Sequence, residues 1–436
     1  MKRIVFFTAM LYVTTLTAQD SIRPLLTLKR AVAIALENNY DIKLASNDLK
    51  IDEQNVSWAN AGMLPNVSAT FNQDNAIQNS TQTRSDGTVQ ELDNARNNNR
   101  NYGVNLGWTI FDGLRMFARY DQLQELEKLG QTELKLTVLT AVSDVMTTYF
   151  DLVQQQQMLK ALDTAIVISR QRVTTAENRF TIGKAARLEV LNAQVDLNTD
   201  QTNYLRQKEL YRNTKTYLNE LMARDLATDF VVADSVVIDT KLQLADLMAL
   251  AGQQNPQIQI ALINKRVAEL NLKQVKANRY PQIAVTTGYI FTESENSLGF
   301  ARENSGRGFS YGLSASINIF NGFLQRRNER IAKLQIDNTD VQVKQQAQSV
   351  NSQLMAAYQT YLTNLELVGL EKRNEEIARQ NLDITMEKYR IGTITTLEVR
   401  TAQLNYVNAI ARNSTAQYNA KVSETTLREL AGNIAF

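Results

Sequence analysis

The chain is written twice at a fixed offset. Tyr102-Gly103 to Ile110-Phe111-Asp112-Gly113 recurs as Tyr311-Gly312 to Ile319-Phe320-Asn321-Gly322, at 311 − 102 = 209. Ile182-Gly183, Leu188-Glu189-Val190 and Ala193-Gln194 recur as Ile391-Gly392, Leu397-Glu398-Val399 and Ala402-Gln403, at 391 − 182 = 209. Leu218, Glu220 and Leu221 return in the same register as Leu427, Glu429 and Leu430. One structural unit is therefore built twice. Upstream, Leu28, Ala33, Asn39, Ala45 and Pro65 map onto Leu244, Ala249, Asn255, Ala261 and Pro281 at 281 − 65 = 216. The difference, 216 − 209 = 7 residues, falls between Pro65 and Tyr102 and marks a surface loop of variable length, because packed elements do not absorb insertions.

The four prolines are Pro24, Pro65, Pro256 and Pro281, so two very long stretches contain nothing that must break a helix. From Leu114 to about Phe180 there is one glycine, Gly130, and the copy from Phe323 to Tyr389 again has one, Gly369. Apolar residues recur at helical spacing, as in Leu123, Leu126 and Leu129 or Leu362, Leu365, Leu367 and Leu370, with polar residues between, which predicts amphipathic helices paired as coiled coils. A helix of about 65 residues is on the order of 100 Å long, wider than any single globular core. Return helices are predicted from about Arg187 to Met222 and from Thr396 to Leu430, with Gly183 and Gly392 turning the chain at each tip.

Before each long helix the period changes to two. Tyr102, Val104, Leu106, Trp108 and Ile110 alternate with Gly103, Asn105, Gly107 and Thr109; Phe309, Tyr311, Leu313, Ala315, Ile317 and Ile319 alternate with Ser310, Gly312, Ser314, Ser316 and Asn318. Partner strands follow Pro65 (Val67, Ala69, Phe71) and Pro281 (Ile283, Val285, Thr287, Tyr289, Phe291), so each half holds one β-hairpin. The joining segments, about 74–100 and 292–308, are rich in Asn, Ser, Thr and Gly and read as water-exposed loops. Phe230, Val231, Val232, Val236 and Val237 suggest short strands linking the halves, part of a belt around the helices.

The resulting organisation is a signal peptide over 1–18 and a first repeat over 19–223, with its β-hairpin at about 65–111 and helical hairpin at about 114–222. A linker over 224–240 precedes the second repeat, 241–436, with its β-hairpin at about 281–320 and helical hairpin at about 323–430. The signal reading rests on Lys2-Arg3, the apolar run from Ile4 to Leu16, and Ala18 before the expected cut. That run is shorter than the roughly 20 residues a membrane-spanning helix needs.

Several classes of function are excluded. Of 47 basic and 45 acidic residues, Lys2 and Arg3 leave with the signal, giving a neutral chain without the electrostatic driver of nucleic-acid binding. The sequence has no Cys and no His, so disulfides, thiolate or imidazole metal sites and His-dependent catalytic triads cannot form, and no cofactor is expected. Four strands of about ten residues, apolar on one side and small or polar on the other, match membrane-spanning β-strands. The alternative, a soluble sheet packed on a helix, is disfavoured by the export signal, the polar opposite face and the aromatics Tyr102, Trp108, Phe309 and Tyr311. Four strands cannot close a barrel, so several copies must share one.

These features together resemble the TolC-like outer-membrane efflux proteins. The resemblance covers nearly the whole chain after the signal, through the duplication, the turns Phe111-Asp112-Gly113 and Phe320-Asn321-Gly322, and the tips Arg179-Phe180-Thr181-Ile182-Gly183 and Tyr389-Arg390-Ile391-Gly392 with their Leu-Glu-Val and Ala-Gln followers. It implies a fold that is mainly α with a membrane β-barrel portion: a homotrimer closing a twelve-stranded barrel in outer-membrane lipid and a twelve-helix periplasmic barrel. It further implies a passive exit duct joined at its tips to a periplasmic adaptor and an inner-membrane pump or exporter. Aligned on the tip glycine, the family's gate places its first acid at Glu398 and its Tyr at Tyr389, while Thr401 stands where a second acid is common and Ile394 where an Arg can occur. Glu189 is the equivalent acid of the first tip. Glu398 also completes a capping box with Thr395. Ile182, Gly183, Leu188, Val190, Ile391, Gly392, Leu397 and Val399 are the expected adaptor contacts. The competing class is a periplasmic adaptor or secreted coiled-coil structural protein, with one helical hairpin flanked by compact β-domains.

Overall fold

A computed structural model of the chain describes residues 24–233, 235–298 and 301–434. The expected signal segment 1–18 lies outside the described residues. In order, the elements are β1 (Leu25–Leu26), α1 (Leu28–Asn38), α2 (Tyr40–Asn55), β2 (Asn66–Thr83), β3 (Val89–Phe111), α3 (Arg115–Thr181), α4 (Arg187–Leu221), β4 (Val231–Val232), α5 (Leu244–Gln254), α6 (Pro256–Ala277), β5 (Gln282–Asn296), β6 (Glu303–Ser316), α7 (Leu324–Arg390) and α8 (Thr396–Leu430). Two β-hairpins make one antiparallel sheet in the order β2-β3-β5-β6, and α3 and α7, 67 residues each, carry α4 and α8 back as helical hairpins. Near the sheet, α6 packs between α3 and α7 with α2 on the far flank of α3; toward the tips, α8 packs on α3, leaving α4 and α7 as the flanks. The helices α1, α2, α5 and α6 are additional to the elements anticipated above.

The sheet has one apolar and one polar face because register and alternation agree across all four strands. Phe71, Tyr102 and Phe291 stand in one row, closed on β6 by Arg307, with the Tyr102 and Phe291 rings stacked at 4.9 Å; Ala69, Val104, Tyr289 and Phe309 form the next. The opposite face carries Ser68, Asn105, Gly288 and Ser310, then Asn66, Gly107, Thr286 and Gly312. Beyond the aromatic row the apolar face ends abruptly at an Arg100–Glu293 ion pair of 3.0 Å.

Two expectations are corrected here. The segments 74–100 and 292–308 are not loops: β2 and β3 pair from Asn66↔Gly107 to Thr83↔Val89, and β5 and β6 from Gln282↔Ser316 to Glu295↔Glu303. Their polar residues face water on both sides, so the hydrophobic signal vanishes although the backbone ladder continues. In the first hairpin the irregular parts are the turn between Thr83 and Val89 and a bulge between Gln78 and Ser80, and the seven-residue difference is absorbed as hairpin length. At the other end, β6 stops at Ser316 because β5 offers no partner before Gln282, so 317–320 leave the ladder.

The strand-to-helix turns are duplicates. Gly113 and Gly322 take φ of 74° and 64°, and the next residues, Leu114 and Phe323, take φ of 69° and 64°. A Cβ at Gly113 would strike the Ala277 carbonyl. Asp112 Oδ1 then accepts from the Met116 N–H at 3.2 Å, and Asn321 Oδ1 from the Gln325 N–H at 3.3 Å, satisfying the first turn of each long helix.

Where the helices meet at mid-length, the same contacts are again made twice. Tyr149 donates to the Leu26 carbonyl at 3.0 Å and Tyr358 to that of Leu242 at 3.3 Å. Asn39 caps α2 and donates to the Leu221 carbonyl at 2.9 Å; Asn255 caps α6 and donates to that of Leu430 at 2.8 Å. Val145, Leu152 and Leu218 in one core answer to Leu354, Tyr361 and Leu427 in the other. β1 and β4 pair in parallel here, burying Phe230 and Val232, whereas Val237 is exposed.

Asn255→Ala should cost about 1–2 kcal/mol, since it removes a cap and orphans a carbonyl. Ala223 takes a φ of 46° where its counterpart Gly432 takes 78°, so Ala223→Gly should gain about 0.5–1 kcal/mol. Denaturant midpoints in detergent read both. Burial raises the Glu429 carboxyl pKa, offset in part by the 2.7 Å hydrogen bond it accepts from Ser143, with the charge of Asp144 adding to the rise. Its stabilising contribution is thus complete below the ordinary carboxylate range and lost as pH climbs through the raised value. Glu429→Gln should raise the melting temperature at pH 7 and shrink the gain on acidification to pH 5.

Candidate gate at the helical tips

Both tips are built alike. Gly183 and Gly392 take φ of 74° and 82° with open space around them, and the chain turns through 182–186 and 391–395 into the return helices. Ile182, Leu188, Ile391 and Leu397 are 64–73 % exposed, apolar side chains projecting from each tip. Val190 and Val399 are not among them: Val190 packs on Ala176 and Ala193, and Val399 is fully buried, so both secure their hairpins and offer no surface to a partner.

The gate candidates divide into two groups. Tyr389, at the end of α7, is 2 % exposed and its hydroxyl donates to Glu189 Oε1 on α4 at 3.5 Å. Arg179 on α3 stands over the Tyr389 ring at 5.5 Å and reaches Glu189 at 3.6 Å. An acid, a phenol and a guanidinium thus tie the second hairpin to the first. Glu398 and Thr401 take no part in this cluster. Glu398 Oε1 accepts from the Thr395 N–H at 3.2 Å and from its hydroxyl at 3.1 Å, the capping box read from the sequence, and Thr401 donates to the Leu397 carbonyl at 3.0 Å. Arg179 was absent from the sequence-based set, although it lies four residues before the tip glycine in a quoted motif.

A second polar cluster, missed altogether, lies about two turns up the helices. Arg172 on α3 is 1 % exposed; its guanidinium donates to Asp196 on α4 at 2.9 Å and to the Thr396 hydroxyl at 3.1 Å. Arg400 on α8 donates to both Asp200 oxygens, at 2.9 and 2.8 Å, and lies 3.5 Å from Asp196. Gln403 Nε2 donates to Ser169 Oγ at 2.9 Å and to the Ala165 carbonyl at 2.8 Å, while Ser169 donates to Asp200 at 2.5 Å. Its sequence signal is Ser169 and Arg172 in a 3-4-3-4 stripe with Leu162, Ala165 and Ala176, where a core residue belongs.

A four-stranded sheet fused to two helical hairpins, tied at their tips by charge, is the geometry against which relatives can be compared. The family model for outer membrane efflux proteins matches residues 31–224 and again 247–433, once on each repeat. The chain belongs to the outer membrane efflux protein family. This efflux protein is 22 % identical to the outer membrane efflux protein BepC of Brucella suis, over 99 % of this chain and 91 % of that one. In structure it resembles the Campylobacter jejuni CmeC outer membrane channel, with a TM-score of 0.78 at 18 % identity, covering 93 % and 85 % of the two chains. It also resembles the outer membrane protein VceC of Vibrio cholerae, with a TM-score of 0.74 at 14 % identity over 93 % and 96 %. The fold class expected from the sequence, two β-hairpins with two long helical hairpins in a duplicated chain, is that of these channels. The adaptor-like alternative fails because each helical hairpin of this efflux protein carries its own β-hairpin in the one shared sheet.

Removing Glu398 with alanine should cost only about 0.5–1 kcal/mol, the worth of a cap. Arg172→Ala removes the closest cation of Asp196, which keeps Arg400 at 3.5 Å, and should cost about 1–3 kcal/mol. Thermal or denaturant unfolding of the two variants in detergent ranks them.

Proposed function

We propose that three copies of this efflux protein assemble into a passive outer-membrane duct, in which their four-stranded sheets close one barrel and their helical hairpins a periplasmic tube. The observation that carries this reading is the sheet itself. Its apolar face suits lipid and its opposite face suits water, yet among the described residues β2 and β6 each leave an edge without a partner. In hydrocarbon every unpaired N–H or C=O costs several kcal/mol, so the edges must meet those of further copies. A helix 67 residues long supplies roughly 100 Å of reach into the periplasm.

The exposed tip residues Ile182, Leu188, Ile391 and Leu397, presented on the Gly183 and Gly392 turns, form the contact for a periplasmic adaptor, which joins the duct to an inner-membrane transporter. The Tyr389–Glu189–Arg179 cluster acts as the latch that holds the tips shut, Glu398 secures the helix behind it, and Thr401 leaves the second acidic position uncharged. Export through the duct moves cargo without chemistry.

The purified chain should run as an oligomer on an unheated gel and conduct ions in planar bilayers; a soluble monomer that does not conduct would overturn the reading. Glu189→Ala removes a latch worth about 1 kcal/mol, so single-channel recordings should show the open population rising about five-fold.

A further inference from the structure

The two repeats differ in charge where the helices leave the sheet. On α7, Arg326, Arg330 and Lys333 are exposed, and so are Lys273 and Lys276 on the adjoining α6. At the offsets of 209 and 216 residues their counterparts in the first repeat are Phe117, Asp121, Gln124, Ser57 and Asn60, none of them a cation. Among the described residues no carboxylate lies within ion-pair distance of the five. The nearby acids are engaged elsewhere: Glu329 by Arg279, Asp340 by Lys265 and Glu269 by Arg266. The arginines that open α3 are occupied too, Arg115 by Asp112 at 3.3 Å and Arg119 by Gln122 at 2.7 Å. One repeat thus makes the strand-to-helix turn without these charges, and the other carries them unneutralised, in a chain whose formal net charge is only +2.

Their direction follows from helix geometry. Leu324 and Asn328 line a cavity of about 440 Å³ with Gln282 and Ser316, which stand on the polar face of the sheet. Successive helix residues turn by about 100°, so Arg326, Arg330 and Lys333 lie about 180–240° round α7 from Leu324, on the side where the sheet is apolar. Just before this stripe come Phe320 and Phe323, both exposed and packed edge to face at 5.3 Å, and Asp337 follows it. Along β3 the apolar residues run from Tyr102 to Ile110, 110 − 102 = 8 steps, or about 27 Å of strand. At a tilt of about 40° that is about 20 Å of depth, short of the roughly 25 Å apolar band of a membrane barrel. The missing 5 Å or so carries the hydrocarbon edge past Phe320 and Phe323, and Arg326 to Lys333, about 10 Å of helix, then falls in the headgroup layer.

Resting on the duct proposed above, we infer that this face of the second repeat is a docking surface for anionic phospholipid. Phosphodiester headgroups of the periplasm-facing leaflet seat on Arg326, Arg330 and Lys333, and Phe320 and Phe323 lie among the acyl chains. Guanidinium forks match phosphate oxygens in pairs, and each cation beside an anionic lipid surface is worth about five-fold in binding. Since the first repeat offers Phe117, Asp121 and Gln124 instead, lipid is held at one face of each copy rather than as a uniform ring.

Native mass spectrometry of the detergent-purified assembly, mixed with equal amounts of phosphatidylglycerol and phosphatidylcholine, reads the preference directly. The unaltered protein should retain the anionic lipid in excess. Combining Arg326→Gln, Arg330→Gln and Lys333→Gln should lower that preference by at least about ten-fold, with assembly on an unheated gel and conductance unchanged. Combining Lys372→Gln, Arg373→Gln and Arg379→Gln removes as much exposed charge from α7 farther toward its tip and should leave the preference intact. Arg326→Lys with Arg330→Lys should keep most of it. If the first triple variant does not assemble, Arg326→Gln and Arg330→Gln singly should each give a partial loss. The inference is overturned if variants lacking these cations keep the full preference, as they would were the face a seat for an acidic protein, or if the control variant loses as much. Failure of the unaltered chain to float with phospholipid vesicles would instead overturn the membrane placement of the sheet, and with it the duct.

Discussion

Backbone amides and carbonyls cannot go unpaired in hydrocarbon, and this requirement governs the efflux protein from its sheet to its tips. Among the described residues the sheet has an apolar face and two unpaired edges, so at membrane depth it would be stable only as one arc of a larger closed wall. The helices inherit that arrangement. The strand order β2-β3-β5-β6 is followed by the helix order α2-α3-α6-α7, then by α4-α3-α8-α7 toward the tips. Each layer thus has the same two flanks, and what one layer demands of a neighbouring copy the others can meet in the same register.

Duplication supplies that register cheaply. Paired hydrogen bonds such as Asn39 to Leu221 and Asn255 to Leu430 show that the repeat extends below helix positions to individual side-chain contacts. Divergence is concentrated where the halves have different jobs. Around Arg172 a seam of otherwise small and aliphatic residues has taken on two Arg–Asp pairs, although apolar side chains of similar volume are commonly as stable there. What ions add to such a seam is discrimination, since any misplacement leaves a charge unpaired.

Legibility in the sequence followed hydrophobic contrast. Tyr102 to Ile110 could be read as a strand because every second residue is apolar, and the long helices because glycine and proline are rare within them. The same strand continued back to Val89 could not, because Asn, Arg and Glu on both faces carry no period. The short helices before each β-hairpin were obscured by their mixed composition. At the tip, Tyr389 and Glu189 were placed by position relative to the glycines, but their meeting depends on α7 approaching α4, a tertiary contact that no spacing along the chain encodes. The Arg172 cluster was hidden for the opposite reason: its members belong to three helices, and each alone looks like an ordinary charge on a helix surface.

The long ladder of the first hairpin, with a single register shift between Gln78 and Ser80, bears on what the proposed duct would present to its surroundings. β3 runs for 23 residues, about 75 Å, whereas a tilted strand crosses the hydrocarbon in roughly ten. In the proposed duct the remainder would project outward as a palisade rich in asparagine, threonine, glutamine and charged side chains, whose backbone is largely hydrogen-bonded already. Proteases bind substrates as extended, unpaired chain, so in the first hairpin such a collar would offer them little beyond the turn beside Asp86 and Gly87. A rim of that kind can be long without being fragile.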